Sequence, residues 1–342
     1  MRKTLIAVAA LAASGAAMAQ SSVTLFGIVD TSVAHVRGNG SGNKNYGLLN
    51  NGIATSRLGF RGIEDLGGGV KAAFWLEGAV QPDTGGNSLN FQRRSSVSLL
   101  GDFGELRLGR YLTAGHDKPS SYSVFSTIGL GGFQGWAWED VRFNNMVAYY
   151  SPNWSGLTLG VNYAFHENPS NSNSEAGRYW GIEGTYANQA LSVTLAADQA
   201  EDTTKILADK VRSYSLGAGY NFGGFKLNGL AHQARFKNLA VVGGDLKYNS
   251  YLIGATAAVG AVGLVKAQYA HYKAGDAKAN QLSLGYEHNL SKRTALYGTY
   301  SYLKNNEYGG WVVSETTSNN LGVNGVADKA SHGIQVGVRH SF

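Results

Sequence analysis

The chain has 342 residues, no cysteine, 4 prolines, 47 glycines and 19 tyrosines, with a formal net charge of +6. Only 15% of residues are charged and 43% are hydrophobic, which gives a slightly negative mean hydropathy of -0.17. This balance excludes a helical membrane protein, whose spans need ~18–20 uncharged apolar residues, and a disordered chain; without thiols it also excludes a disulfide scaffold or a Cys-ligated zinc site. The mild basicity forms no dense basic face and makes no case for a nucleic-acid partner.

Residues 1–19 read as a secretory signal peptide. Arg2 and Lys3 supply the basic n-region, Leu5 to Ala13 the apolar core, and Ala17-Met18-Ala19 the small-residue cleavage site. Residues 20–342 are then the mature chain, beginning at Gln20, and no lipidation cysteine follows.

From Ser22 onward the sequence alternates apolar with small or polar residues at period 2, the signature of strands. Sixteen strands are expected, near 22–36, 55–65, 69–81, 91–101, 104–111, 143–152, 157–166, 178–187, 190–200, 211–222, 225–236, 247–258, 262–273, 280–290, 294–304 and 331–342. In 157–166, for example, Leu157, Leu159, Val161, Tyr163 and Phe165 alternate with Thr158, Gly160, Asn162, Ala164 and His166. Short turns such as Gly67-Gly68, Asp102-Phe103-Gly104 and Gly223-Gly224 take turns with long polar connections, roughly 37–54, 112–142, 167–177 and 305–330.

One face of each strand is built from Gly, Ser, Asn, Thr and scattered charges, the other from Leu, Val, Tyr and Phe. A polar face suits a water-filled interior and an apolar face suits lipid. Strands of ~10 residues, turns short on one side and long on the other, and aromatics at segment ends make the pattern of an all-β, sixteen-stranded antiparallel transmembrane β-barrel. Closure satisfies every backbone N–H and C=O in lipid, and sixteen strands leave a lumen where eight would not. A soluble β-propeller would show a repeat of ~40–45 residues, and none is visible.

Several motifs carry a family likeness. Val23 to Asp30 opens the mature chain as VTLFGIVD; then come Ser56-Arg57-Leu58-Gly59-Phe60-Arg61-Gly62, Gly104-Glu105-Leu106-Arg107-Leu108-Gly109-Arg110, Tyr149-Tyr150-Ser151-Pro152 and the terminal Arg339-His340-Ser341-Phe342. Together they resemble the Gram-negative general diffusion porins of the β-proteobacterial type, over the whole mature chain. The resemblance implies a homotrimer in the outer membrane, a third long loop folded into each lumen, and Phe342 as the signal read by the barrel-assembly machinery. It further implies lipid and lipopolysaccharide as surroundings, small hydrophilic solutes and ions as cargo, and no cofactor, since passive diffusion needs none.

Selectivity in such a pore comes from radius and fixed charge, and strand parity says which charges face inward. With Leu58 and Phe60 outward, Arg57 and Arg61 point to the lumen; by the same reasoning so do Lys71, Glu77, Arg107 and Glu105. Parity admits only one of Arg93 and Arg94, and the family pattern favours Arg93, leaving Arg94 near a subunit contact or the girdle. The loop near 112–142 holds Asp117, Glu139 and Asp140, and the resemblance implies that these carboxylates oppose the arginine wall across a constriction. Strongly anion-selective members of the family carry an arginine just before the tyrosine of the sixth strand. That position here is Ala148, with Arg142 nearby as a substitute, so a mild anion preference is expected.

A barrel enzyme would need an activated nucleophile, and no G-x-S-x-G or H-E-x-x-H run occurs. His288 and His340 fall on apolar faces, where girdle packing is expected; Asp83 and Asp245 are the loop acids on which a divalent cation would draw. The alternative function is a substrate-specific outer-membrane channel, for which Phe133, Trp136 and Trp138 in the long loop would form an aromatic surface. An adhesin-type barrel would be told apart by its lack of conductance.

Overall fold

The computed structural model describes residues 22–38, 44–86, 89–166, 177–203, 208–240, 242–313 and 324–342. The expected leader, 1–19, lies outside them. The strands run in chain order as β1 (Ser22–Gly38), β2 (Lys44–Leu49), β3 (Arg57–Gly67), β4 (Val70–Ala79), β5 (Arg94–Gly101), β6 (Gly104–Leu112), β7 (Arg142–Tyr150), β8 (Leu157–Ala164) and β9 (Tyr179–Ala187). They continue as β10 (Leu191–Thr203), β11 (Ala208–Asn221), β12 (Phe225–Leu239), β13 (Gly244–Val259), β14 (Gly263–Ala274), β15 (Ala277–Asn289), β16 (Thr294–Asn305) and β17 (Ala330–Ser341).

Except for β2 and β3, which both pair with β1, each strand pairs antiparallel with its sequence neighbour, and β1 closes the cylinder against β17 from Ile28↔Ser341 to Gly38↔Ser331. The expected sixteen staves are present. The extra segment is β2, which lies inside the expected loop 37–54. It pairs with the upper half of β1, Ser32 to Arg37, while β3 pairs with the lower half, Ser22 to Ile28, so β2 and β3 share one stave. Tyr46 stacks on His35 at 4.2 Å, a cross-strand aromatic pair that favours strand over irregular loop. Strands β10 to β13 also run past their expected long-loop ends, β13 starting at Gly244 rather than 247.

Burial is inverted relative to a soluble fold. Outward Val33, Leu195 and Val336 are 63%, 60% and 61% exposed, whereas inward Asp30 and Ser301 are both 0% exposed. A free apolar surface of this extent marks contact with lipid. The C-terminal residue completes the last seam. Gly27 and Phe342 exchange backbone hydrogen bonds of 3.0 and 3.1 Å, and the Phe342 ring lies over Gly27, where a Cβ would overlap it.

The connection between β6 and β7 crosses the lumen and is fastened to the inward faces of β9 to β17. It carries one short 3-10 helix, Pro119–Tyr122. The Tyr122 hydroxyl meets Ser192 and Thr194 at 2.8 and 3.0 Å, and its ring lies where Gly217 has no side chain. Gln268 accepts from Val124 N–H and Ser123 Oγ at 3.0 Å each, and Gln335 accepts from Leu130 N–H at 3.1 Å. Tyr248 donates to the Gln134 carbonyl at 2.9 Å.

Candidate functional site

Opposite that fastened loop, β3 to β7 present the lumen with arginines. Directly paired residues face the same side, so Ile28↔Arg57, Gly59↔Glu77 and Glu77↔Arg94 put Arg57, Glu77 and Arg94 on the inner face with Asp30. At the level of the loop, Arg93 donates Nε to Glu77 at 2.7 Å, Arg57 lies 3.9 Å from the same carboxylate, and Arg142 donates Nε to the Arg93 carbonyl at 3.0 Å. These three arginines line a cavity of 420 Å³, whose other side includes Ser120, Ser126 and Thr127. One carboxylate among three guanidiniums leaves this cavity positive, and like charges this close are tolerable only around water or an anion.

Arg93 and Arg94 both reach the lumen, which corrects the choice of one over the other. Parity governs residues within a strand, but β5 starts at Arg94; Arg93 precedes it, bonds its N–H to the Glu77 carbonyl at 3.1 Å, and is free of the alternation. Arg142 heads β7, six residues above Ala148, which pairs with Arg107.

The acidic side of the expected field is not opposite the arginines. Glu139 is turned to the far wall, where it accepts from Ser213 and meets His232 Nε2 at 2.7 Å. Asp117 accepts from the Tyr111 hydroxyl at 3.1 Å, and Asp140 sits half-buried at the foot of β7. None of the three lines the constriction cavity. The physical reason is that a loop crossing a barrel must satisfy its polar groups against the wall it lies on, and Glu139 is spent there.

Other expected wall residues lie elsewhere along the pore. Lys71 is one residue into β4, exposed near the short-turn mouth. Arg61 is four residues below Arg57 along β3, and Arg107 sits near the start of β6, bidentate to Glu105 at 2.9 and 3.0 Å. Phe133 and Trp136, 1% and 6% exposed, pack against Tyr272 and His232 and also border the cavity of the three arginines. His288 and His340 sit in the outer girdle, bonded to Tyr286 and Thr294 at 3.3 and 2.9 Å.

Sequence reasoning missed the rings that share the lumen wall with the arginines: Trp75, Tyr111 and Tyr150. Their signal was available, because each stands at a position whose parity faces water, an uncommon place for a large ring. It also missed His232. Ser215 Oγ, His232 and Glu139 form a hydroxyl–imidazole–carboxylate line of 2.8 and 2.7 Å. Ser215 is 4% exposed and also bonded to the Gly115 carbonyl at 3.1 Å, which makes the line a clasp for the loop.

Residues 5–308 match a family model described as Gram-negative porin. Outer membrane porin protein 32 of Delftia acidovorans is 50% identical over the full length of both chains. An outer membrane porin of Bordetella pertussis is 30% identical, also over both full lengths. Among solved structures, an anion-selective porin from Comamonas acidovorans shares 46% identity at a TM-score of 0.83, covering 94% of this chain and all of that one. OmpT of Vibrio cholerae, at 15% identity and a TM-score of 0.71 over 94% of this chain and 98% of its own, shares the fold.

Proposed function

We propose that this chain, which belongs to the Gram-negative porin family and forms a diffusion channel in the outer membrane, passes small anions in preference to cations through the constriction formed by Arg57, Arg93 and Arg142. The observation that carries the reading is the excess of guanidinium over carboxylate there: Arg57 and Arg93 share Glu77, Arg142 bonds the Arg93 carbonyl, and the loop side contributes hydroxyls. The anion selectivity of the Comamonas acidovorans relative, 46% identical, agrees in sign. Arg57→Ala and Arg93→Ala are each expected to lower the anion-to-cation permeability ratio, read as the zero-current potential across a KCl gradient. Unchanged potentials in both variants would overturn the assignment.

The lumen has the character of a passage rather than of a reaction site, since its hydroxyl–imidazole–carboxylate line is closed off beneath the loop. The family resemblance supports a homotrimer assembled through the barrel machinery with Phe342 as its signal.

A lipopolysaccharide contact is supported by the outer face. Arg212, Arg235 and Lys247 pair directly across β11, β12 and β13, one rung above Tyr214 and Gln233. Like charges opposed in a sheet destabilise it, and no ion pair to these three occurs among the described residues. A groove below them is lined by Ile182, Leu195, Ala197, Tyr214, Leu216 and Ala231. Phosphate groups over the cations and an acyl chain in the groove would satisfy both. The double variant Arg212→Gln/Arg235→Gln should retain less lipopolysaccharide through purification; equal retention would remove this contact.

A further inference from the structure

The two limbs of the crossing loop meet the far wall at one imidazole. Gly115, on the outgoing limb, gives its N–H to Asp198 at 2.7 Å, and its carbonyl accepts from Ser215 Oγ and from Trp136 Nε1 at 3.1 Å each. A Cβ at Gly115 would overlap the Asp198 carboxylate, so this approach to β10 needs a glycine. Glu139, on the returning limb, accepts from Ser213 Oγ with one oxygen and faces His232 Nε2 at 2.7 Å with the other. His232, buried on β12, reaches Ser215 Oγ at 2.8 Å through Nδ1. His116 and Ala137, near the two held points, line the cavity of Arg57, Arg93 and Arg142. Whatever holds the limbs therefore also sets the loop side of that cavity.

We infer that His232 is a pH-sensitive positioning residue: with a proton on both ring nitrogens it ties both limbs of the loop to the wall, and on losing one it loosens the outgoing limb. The protons can be counted. A serine hydroxyl has one proton, and Ser215 directs it to the Gly115 carbonyl, so Nδ1 must donate to Ser215. An ionised carboxylate has none to give, so Nε2 must donate to Glu139. Both nitrogens donate only in the imidazolium. Neutral imidazole has one N–H for the two partners. With that N–H on Nε2, Ser215 turns its hydroxyl to Nδ1 and Gly115 loses a bond; with it on Nδ1, a nitrogen lone pair faces the carboxylate. Each choice leaves a buried polar group short of a partner. The titratable groups around the clasp are Glu139 and His116 from the loop, Asp198 from β10, Glu183 and Tyr179 from β9, and Tyr248 and Tyr272 from β13 and β14. Asp198 and Glu139 act on each other, and the imidazolium offsets both. The hold is complete at low pH, where the second proton is bound, and is lost as pH rises through the histidine range.

The test is single-channel recording of the full-length protein in KCl from about pH 5 to about pH 9, either side of the ordinary histidine range. The wild-type channel is expected to be quiet at the acid end. At the alkaline end the fraction of time in a noisier, more conducting state should rise about tenfold, equivalent to about 1.4 kcal/mol. His232→Gln keeps a donor for Glu139 but cannot titrate, so its noise should be the same at both ends. Ser215→Ala leaves His232 in place and should flatten the response, because Gly115 then has no serine bond to lose. Nitrogen NMR shifts of the His232 ring in the wild-type barrel read the second proton directly, should either variant fail to insert; both nitrogens are expected to be protonated at the acid end. A wild-type channel equally quiet throughout, a pH response that survives His232→Gln, or a neutral ring at the acid end would each overturn the switch. None of these readouts depends on which ions the pore prefers, so failure of the switch leaves the anion reading standing.

Discussion

A single residue changes a pore most when its charge cannot be replaced from solution. Arg57, Arg93 and Arg142 line one cavity with a single carboxylate, Glu77, so removing any one of them takes away about a third of the positive charge there. Two unit charges 4 Å apart in water interact by about 1 kcal/mol, equivalent to roughly a fivefold change in a ratio. Each arginine-to-alanine substitution is expected to shift the anion-to-cation ratio by about that factor. Glu77→Gln should act in the opposite direction, raising anion preference, and a fall would mean that Glu77 mainly positions Arg93. Which residues line the pore was legible where strands impose period 2, as for Arg57, Arg61, Glu77 and Arg107. It was not legible for Arg93, because the alternation has no authority one residue before β5 begins.

At the scale of elements, the crossing loop is the part least written in local pattern. Its sequence announces length, glycines and three acids, but the partners of Glu139 come from strands 74 and 93 positions away in the chain. Glu139 finds His232 and Ser213, and Gly115 donates to Asp198 at 2.7 Å. A sequence reader sees only that His232 occupies an inward position among small and polar residues, which hints at a partner without naming it. The clasp predicts a separable effect. Removing one partner of a buried hydrogen bond costs about 1–3 kcal/mol, so His232→Ala should leave Glu139 with one contact fewer and loosen the loop. Single-channel recordings should show added current noise and a raised mean conductance, with the barrel's resistance to heat largely kept. Quiet openings of unchanged size would show that the remaining contacts, such as Tyr122 with Ser192 and Thr194, hold the loop without it. The staves themselves were largely legible, since each needs only alternation and a turn. The exception was β2, whose strand character depends on the neighbouring β1 and the His35–Tyr46 stack.

At the scale of the whole molecule, closure joins the two ends of the described chain. β1 meets β17 over eleven paired positions, and Phe342 fills the space that Gly27 leaves. Deleting Phe342 should lower the amount of inserted protein, and Gly27→Leu, which collides with that ring, should lower the temperature at which the folded barrel is lost. Normal levels of inserted protein without Phe342 would argue against a terminal signal. The account as a whole turns on the sign of the field in one lumen, and the zero-current potential of the wild-type channel across a KCl gradient reads that sign directly. A potential of anion-favouring sign, diminished stepwise as Arg57, Arg93 and Arg142 are replaced, is the predicted result. A cation-favouring potential in the wild-type channel would contradict it.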